Sequence, residues 1–263
     1  MNKELALILG LVLPFLGTVL GAAMVYLLKK NINIKLRKAL LGFAAGVMVA
    51  ASVWSLIIPS MDMTTYDGAL KIIPVSVGFI VGILLLLLID NVTPHLHPNS
   101  QDPEGPKTKI SRTNMLFIAV TIHNVPEGMA VGIVFASLLS GGSDALTTSA
   151  AFALALGIAI QNFPEGAIVS MPFEAEGNSK NKSFLYGIFS GIVEPLAAII
   201  MILLKDLLLP IMPYLLAFAA GAMVYVVIEE LIPEAQDGEH SNLPTLGFAF
   251  GFVLMMILDI LLG

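Results

Sequence analysis

The sequence predicts an all-α integral membrane protein with eight transmembrane helices, and three observations support this. Hydrophobic residues make up 57% of the chain and charged residues only 12%, whereas soluble domains average about 25% charged residues. Eight apolar stretches are each long enough to cross about 30 Å of hydrocarbon, which takes roughly 20 helical residues. Segments of the first half also recur in the second half. Because lipid leaves backbone groups unsatisfied unless they pair internally, stretches of this length favour helices over strands.

The eight helices, numbered here as spans 1 to 8, follow one another along a single transmembrane domain covering residues 1–263. We place them at about 5–28, 39–59, 72–91, 113–139, 145–171, 184–205, 209–233 and 243–262. The apolar run of span 1 is longer than a signal-peptide core and is followed by basic residues, so we interpret it as a spanning helix. Residues 92–112 are rich in Pro, Asn and Asp, which predicts a flexible cytoplasmic loop.

Basic residues predict the orientation, because Lys and Arg are concentrated in cytoplasmic loops. If the loop from Lys29 to Lys38 is inside, ten basic residues face the cytoplasm and three face outward. Both termini are therefore expected outside. The net charge of −6 comes mostly from acids in loops and gives no argument for a nucleic acid partner. The chain has no cysteine, which excludes a disulfide frame or a thiolate site.

Two blocks of sequence are duplicated between the halves. Residues 43–59 ("FAAGVMVAASVWSLIIP") resemble residues 218–233 ("FAAGAMVYVVIEELIP"). Residues 78–90 and 247–259 share a glycine pair and a terminal aspartate at the same spacing. Spans 1 to 3 are therefore predicted to recur as spans 6 to 8 around the central spans 4 and 5. Since two helices separate the copies, the second copy enters the membrane from the opposite side, which makes an inverted repeat.

Spans 4 and 5 each carry the same polar element inside an apolar helix. It reads "HNVPEG" at residues 123–128 and "QNFPEG" at residues 161–166, 38 residues later. The first and fifth residues of each element lie four apart and share a helix face. The proline removes a backbone hydrogen bond, which predicts a kinked, partly unwound turn with exposed carbonyl oxygens. An ionisable side chain within a spanning helix is costly and points to a functional site.

Side chains from four spans are predicted to meet near the membrane midplane. Counted at 1.5 Å per residue from the inner boundary, Met48, His123, Gln161 and Glu194 all lie ~15 Å deep. No Lys or Arg shares this depth, so the carboxylates call for a bound cation. A set of nitrogen, oxygen and sulfur ligands suits Zn²⁺, Fe²⁺ or Mn²⁺ better than Na⁺ or Ca²⁺. The candidate ligands are Met48, His123, Asn124, Glu127, Gln161, Asn162, Glu165 and Glu194. Three carboxylates would balance much of the charge of two divalent ions, so the residues are compatible with one bound metal ion or with two.

A second group of polar residues, on the inner side, is a candidate release route for the cation. Its members are Asp90, His95, His97, Glu229 and Glu230. Glu229 and Glu230 are favoured because they still lie within an apolar helix. The loop after span 7 holds further acids, which either extend this route or form a solvated acidic surface.

These motifs resemble the ZIP (Zrt/Irt-like) family of metal transporters. The resemblance rests on "HNVPEG", "QNFPEG", "VEP" at 193–195 and "EELIPEA" at 229–235, and the eight-helix plan extends it over essentially the whole chain. "FAAGVM" and the compact size are similar to the prokaryotic GufA-like branch. The resemblance implies import of Zn²⁺, or of Fe²⁺, Mn²⁺ or Cd²⁺, across a bacterial inner membrane, with the metal as cargo and no separate cofactor.

The resemblance also implies how the ligands are divided between two metal positions. One position is formed by His123, Glu127, Gln161 and Glu165 with help from Met48. The other is formed by Asn124, Glu127, Asn162, Glu165 and Glu194. Some family members have Asp at the place of Asn162, and many have His at the place of Glu229, so the second metal and the release path stay open here. The family further implies an elevator-like movement of spans 1, 4, 5 and 6 against spans 2, 3, 7 and 8, and a homodimer.

Other functions remain as alternatives from the residues alone. An intramembrane metalloprotease would need an H-E-x-x-H pair, which the sequence lacks, so no enzyme is expected. A cation-coupled carrier of an organic solute would need groups that recognise the organic part, and the chain has one Trp and no midplane Arg. An exporter or channel would use the same ligands, so the direction of transport rests on the resemblance.

Overall fold

The structure is a computed structural model that describes residues 2–27, 33–93, 110–141 and 146–262. In these residues the chain is helical between its loops, and no strand occurs. Eight helical segments are long and apolar enough to cross a membrane, which confirms the predicted fold class. They are Lys3–Leu27, Ile34–Met63, Gly68–Val92, Arg112–Ser140, Thr148–Ala175, Lys180–Leu203, Lys205–Gln236 and Leu243–Leu262. The predicted flexible loop at 92–112 lies almost wholly outside the described residues.

Polar side chains start several helices at positions that hydrophobicity alone does not mark. The hydroxyls of Ser111, Thr147 and Ser179 accept hydrogen bonds from backbone N–H groups three residues later, at 3.3, 3.0 and 3.4 Å. Such N-caps satisfy donors that the first helical turn leaves free. Span 6 therefore begins at Lys180, four residues before the start of the apolar stretch used to predict it.

The helices pack in four close pairs. Span 2 lies along span 8, span 3 along span 7, span 1 along span 5, and span 4 along span 6. If spans 1, 2, 3 and 4 are exchanged with spans 6, 7, 8 and 5, the pair 2–8 becomes 7–3 and the pair 1–5 becomes 6–4. The packing thus has the pairing expected of the inverted repeat.

Glycine permits close approach within each pair. An added Cβ would lie 2.1 Å from a carbonyl oxygen of the partner helix at Gly17 and Gly46, and 2.2 Å at Gly82 and Gly128. No side chain fits at such a distance, so the two backbones are in direct contact, as in small-residue interfaces of membrane helices. These four contacts belong to the pairs 1–5, 2–8, 3–7 and 4–6 respectively.

The four pairs assemble into two bundles. Spans 1, 4, 5 and 6 contact one another and form the carrier bundle; spans 2, 3, 7 and 8 form the frame bundle. The bundles meet where span 2 packs on span 5, span 7 on span 4, and span 8 on span 5. A large apolar core fills the space between them and includes Met48, Phe135, Met223 and Met255.

The duplicated aspartates at the ends of spans 3 and 8 have matching roles. Asp90 accepts a hydrogen bond from Tyr225 Oη of span 7 at 2.6 Å, and Asp259 accepts one from Ser55 Oγ of span 2 at 2.6 Å. Both carboxylates are buried. Each hydrogen bond therefore crosses one of the repeat-related pairs 3–7 and 8–2, and supports the same symmetry at the level of side chains.

Spans 2 and 7 depart from α-helical geometry at equivalent places. Residues Ser52–Ile57 and Val227–Leu231 are π-helical. A proline follows two residues after each segment, at Pro59 and Pro233. Because proline cannot donate to the carbonyl four residues earlier, the turn before it loses a bond and widens.

Candidate metal centre

The predicted ligands of spans 4, 5 and 6 lie inside the carrier bundle. All seven polar side chains are buried, and none is more than 6% exposed. They are His123, Asn124, Glu127, Gln161, Asn162, Glu165 and Glu194, which together are called the midplane cluster below. Spans 4 and 5 continue as helices through Pro126 and Pro164, so the partial unwinding predicted there is not seen. The packing of both spans on their partners holds the helix although proline removes one hydrogen bond.

Span 6, in contrast, is interrupted at the cluster. Its helix runs from Lys180 to Gly191, breaks at Ile192 and resumes from Val193 to Leu203. Pro195 lies at the start of the second part and cannot donate to the carbonyl of Gly191. Glu194 therefore lies in the first turn of the second part of span 6. From there it is the residue that span 6 contributes to the cluster.

Hydrogen bonds between amides and carboxylates join the cluster across helices. Gln161 Nε2 of span 5 donates to Glu127 Oε1 of span 4 at 2.7 Å, and Asn162 Nδ2 donates to Glu194 Oε2 of span 6 at 2.7 Å. Thr18 Oγ1 of span 1 donates to Glu194 Oε1 at 2.9 Å. All four helices of the carrier bundle therefore contribute to these hydrogen bonds, which form two groups linked through the adjacent residues Gln161 and Asn162. Thr18 was missed by the sequence reasoning; the signal available was a single hydroxyl residue between two glycines in span 1.

Several atoms of the cluster are buried without a partner. Among the described residues no hydrogen bond reaches His123 Nε2, Asn124 Oδ1, Glu127 Oε2, Gln161 Oε1 or Asn162 Oδ1. Buried polar atoms are nearly always paired in folded proteins, so five unpaired atoms in one place require an explanation. One is an imidazole nitrogen and four are oxygens, which is the donor set that first-row divalent ions take. The residues present therefore fit a divalent cation.

The cluster does not form a closed metal cage in this conformation. In the part of the chain that the structure describes, no three His, Asp or Glu side chains lie close enough to hold an ion together. Instead, His123 Nδ1 lies 2.9 Å from Glu230 Oε2 of span 7. Glu127 and Glu194 are each held by an amide. The candidate ligands are thus held in pairs with other side chains rather than around one point. Glu230, a member of the predicted release route, contacts the cluster directly through His123.

Met48 lies apart from these polar contacts. It is fully buried in the apolar core, and its carbonyl oxygen accepts a hydrogen bond from Ser52 Oγ at 2.8 Å. Among the residues that the structure describes, no hydrogen bond or ion pair joins its side chain to the cluster. Its role as a ligand stays a prediction.

The candidate release route is brought together in part. Asp90 is buried and bonded to Tyr225, and Glu230 pairs with His123. Glu229 is partly exposed, whereas His95 and His97 lie outside the described residues. One further acid is paired, since Arg37 of span 2 forms an ion pair with Glu234 near the end of span 7. Lys38 Nζ of span 2 donates to the backbone carbonyl oxygen of Glu239 at 2.5 Å. These contacts tie the start of span 2 to the end of span 7 and the loop that follows it.

Comparisons with known proteins show which sequences this chain resembles over most of its length. Residues 104–259 match the sequence profile described as ZIP Zinc transporter. The chain is 36% identical to the human zinc transporter ZIP11, covering 94% of each chain. It is 36% identical to the zinc transporter ZIPB of Bordetella bronchiseptica, covering 97% of this chain and 81% of that one. It is 34% identical to the zinc transporter GufA of Myxococcus xanthus, covering 97% of this chain and 99% of that one.

Proposed function

The chain belongs to the ZIP zinc transporter family, and from this membership we propose that it imports divalent metal ions, Zn²⁺ above all, into the cytoplasm through the midplane cluster. The observation that carries the proposal is the group of five buried, unpartnered atoms described above. A bare hydrogen-bonded network would leave no such atoms, whereas an arriving cation would pair with three of them, His123 Nε2, Glu127 Oε2 and Gln161 Oε1. Fe²⁺, Mn²⁺ and Cd²⁺ are alternative cargoes, to be ranked by competition.

The charge of the cluster favours a cation over an organic solute. Glu127, Glu165 and Glu194 are buried, and among the described ion pairs none links them to Lys or Arg. Isolated carboxylates are costly in hydrocarbon, and a divalent ion offsets that cost by direct coordination. The ion gives up its water as the imidazole, amide and carboxylate atoms replace it.

We propose a single working metal position, formed by His123, Glu127, Gln161 and Glu165. Both oxygens of Glu194 already accept hydrogen bonds, from Thr18 and from Asn162. Glu194, the one carboxylate that belongs to the second position alone, therefore has both oxygens satisfied by protein donors. At this place Asn162 acts as a donor to Glu194, where an aspartate would add a negative charge.

The distribution of close backbone contacts supports an elevator-like movement of the carrier bundle against the frame bundle. Among the described glycines, every Cβ position that meets another helix's backbone does so within one bundle. The one described glycine whose added Cβ would meet the other bundle is Gly157, and there it would meet the side chain of Met255 rather than a backbone. Flexible side chains allow sliding that interlocked backbones prevent.

We also propose that the protein is a homodimer in a bacterial inner membrane, with both termini outside.

The test is uptake of radiolabelled Zn²⁺ into proteoliposomes. Glu127→Gln keeps the size of the side chain but removes its charge, and uptake should fall at least about tenfold. His123→Ala should fall similarly. The matched control is Glu4→Gln, an exposed residue at the start of span 1, which should transport normally. Normal uptake by both cluster variants would place the transport route elsewhere.

A further inference from the structure

Met48 has a counterpart in the second repeat. It is the sixth residue of "FAAGVM" in span 2, and Met223 is the sixth residue of "FAAGAM" in span 7. Both side chains are fully buried, at 0% exposure. The π-helical segments begin four residues after each, at Ser52 and Val227. The two methionines therefore occupy equivalent places in sequence, in burial and in local helix geometry.

The helices that carry them face the two ligand elements in the same way. Span 2 packs on span 5, which holds "QNFPEG", and span 7 packs on span 4, which holds "HNVPEG". Exchange of the repeats converts the first contact into the second. Each methionine helix thus lies against one copy of the duplicated element.

Met223 packs in the large apolar core, and its sequence neighbours bring this segment of span 7 against span 4. Ala222 and Tyr225, which flank it, form a small apolar cluster against which Ile122 of span 4 packs. Ile122 directly precedes His123 in sequence. His123 in turn pairs with Glu230, further along span 7. The segment of span 7 from Ala222 to Glu230 is therefore in contact with span 4 at the position of its metal ligand.

In a carrier built as an inverted repeat, the outward- and inward-facing states are related by the same pseudo-two-fold axis. A contact of span 2 with span 5 in one state recurs as a contact of span 7 with span 4 in the other. We propose that Met223 is a second thioether contact for the transported metal, used in the facing state opposite to the one in which Met48 binds. This inference rests on the proposed function. A neutral thioether attracts soft ions without adding charge, so each end of the movement would have one weak, soft ligand supplied by the frame bundle.

The absence of cysteine makes a direct test possible, because single-cysteine variants have no background thiol. Met48→Cys and Met223→Cys are prepared in the full chain and titrated with Cd²⁺, with cadmium–thiolate ultraviolet absorption as the readout. The control is Met212→Cys, which is equally buried in span 7 but lies outside the duplicated block. Cadmium–thiolate absorption should develop in the Met48→Cys and Met223→Cys variants. It should be lost when each of them also carries the second substitution Glu127→Gln, and it should be absent from the Met212→Cys control.

A volume-conserving variant provides the second measurement, in case a cysteine variant misfolds. Met223→Leu should lower the ratio of Cd²⁺ to Mn²⁺ uptake by about threefold, since only the softer ion gains from sulfur. Met212→Leu should leave that ratio unchanged. If Met48→Cys binds Cd²⁺ while Met223→Cys does not, and Met223→Leu keeps the wild-type ratio, the inference about Met223 is wrong and the proposed function stands. If neither variant binds Cd²⁺ and the wild type carries no Zn²⁺, the proposed function itself fails.

Discussion

Glu194 differs from Glu127 because both of its oxygens accept hydrogen bonds from protein groups. Thr18 and Asn162 supply the two donors, from spans 1 and 5. The sequence predicted Glu194 and Asn162 as members of one site because each is polar within an apolar helix. It could not predict that they bond to each other, since spacing along one helix says nothing about the rotation of the next.

Asn162→Asp should change the number of ions bound. The substitution replaces the donor to Glu194 with a second carboxylate, which repels Glu194 until a cation separates them. We expect equilibrium dialysis with Zn²⁺ to give one ion per chain for the wild type and two for the variant. Asn91→Asp, on the exposed face of span 3, should still bind one. Two ions on the wild type would contradict the single-site proposal.

Thr18→Val should weaken the carrier bundle. Valine has nearly the same volume but removes the hydroxyl donor, so Glu194 Oε1 becomes a buried acceptor without a partner, at a cost of about 1–3 kcal/mol. The expected result is a lower thermal unfolding temperature in detergent. Thr121→Val serves as the control, because the Thr121 hydroxyl bonds only to the Phe117 carbonyl oxygen of its own helix. An equal loss of stability in both variants would argue against a specific role for Thr18.

At the scale of the element, the π-helical segments show how one proline orients several side chains. The widened turn in span 7 contains Glu229 and Glu230, and Pro233 follows it. An ordinary α-helix would carry these glutamates at a different angle around the helix axis. The pairing of Glu230 with His123 therefore depends on a backbone feature that lies outside both residues.

Pro233→Ala should restore a backbone donor and favour α-helical geometry in this segment. We expect Zn²⁺ uptake to fall while thermal stability is kept or raised, since an extra hydrogen bond is made as the pairing with His123 is lost. Pro213→Ala is the matched control, because Pro213 lies at the start of a helix in the same span and its removal restores no interior bond. Uptake at the wild-type rate by Pro233→Ala would mean that the π-helical turn is not needed for transport.

Glycine substitutions should separate contacts within a bundle from contacts between bundles. A Cβ on Gly128 would lie 2.2 Å from the Glu194 carbonyl oxygen, so spans 4 and 6 would have to move apart. At Gly157 the atom at 2.2 Å is Met255 Sδ, which can rotate away. We expect Gly128→Ala to prevent recovery of folded protein in a detergent extract, and Gly157→Ala to be recovered. Similar recovery of the two variants would weaken the division into two bundles.

The sequence predicted the number of helices more accurately than the residues at which each helix begins and ends. Bilayer thickness dictates the length of an apolar run, so spans could be counted from hydrophobicity. The caps at Ser111 and Ser179 lie in polar loops and carry no hydrophobic signal. Proline gave a mixed result: the helix is interrupted before Pro195 but continues through Pro126, because the surrounding packing decides whether one lost hydrogen bond breaks a helix.

At the scale of the whole molecule, the internal repeat predicted which helices pack together. Matching blocks at 43–59 and 218–233 predicted an inverted duplication, and the helix pairs 2–8 and 3–7 have the corresponding exchange. Contacts that cross between bundles, such as His123 with Glu230, were not predicted. They join residues far apart in sequence, and which residues face each other depends on how the two bundles are placed against each other, which no helix pattern encodes.

The proposed orientation can be checked with single cysteines in intact cells. Asp206→Cys, in the first turn of span 7, should react with a membrane-impermeant maleimide from outside, because the Asp206 side chain is 86% exposed and this end of span 7 is expected to face outward. Lys182→Cys, in the first turn of span 6, should react only after the cells are permeabilised. The reverse pattern would mean that the termini are cytoplasmic.

The amide donors of the cluster have a consequence for turnover. A carrier that delivers its cargo must make half of every cycle unloaded. Gln161 donates to Glu127, Asn162 donates to Glu194, and His123 pairs with Glu230, so protein groups shield these three carboxylates. We therefore propose that these side chains act on the unloaded half of the proposed cycle. On this proposal, loss of an amide slows net uptake more than it slows the exchange of one metal ion for another across the membrane.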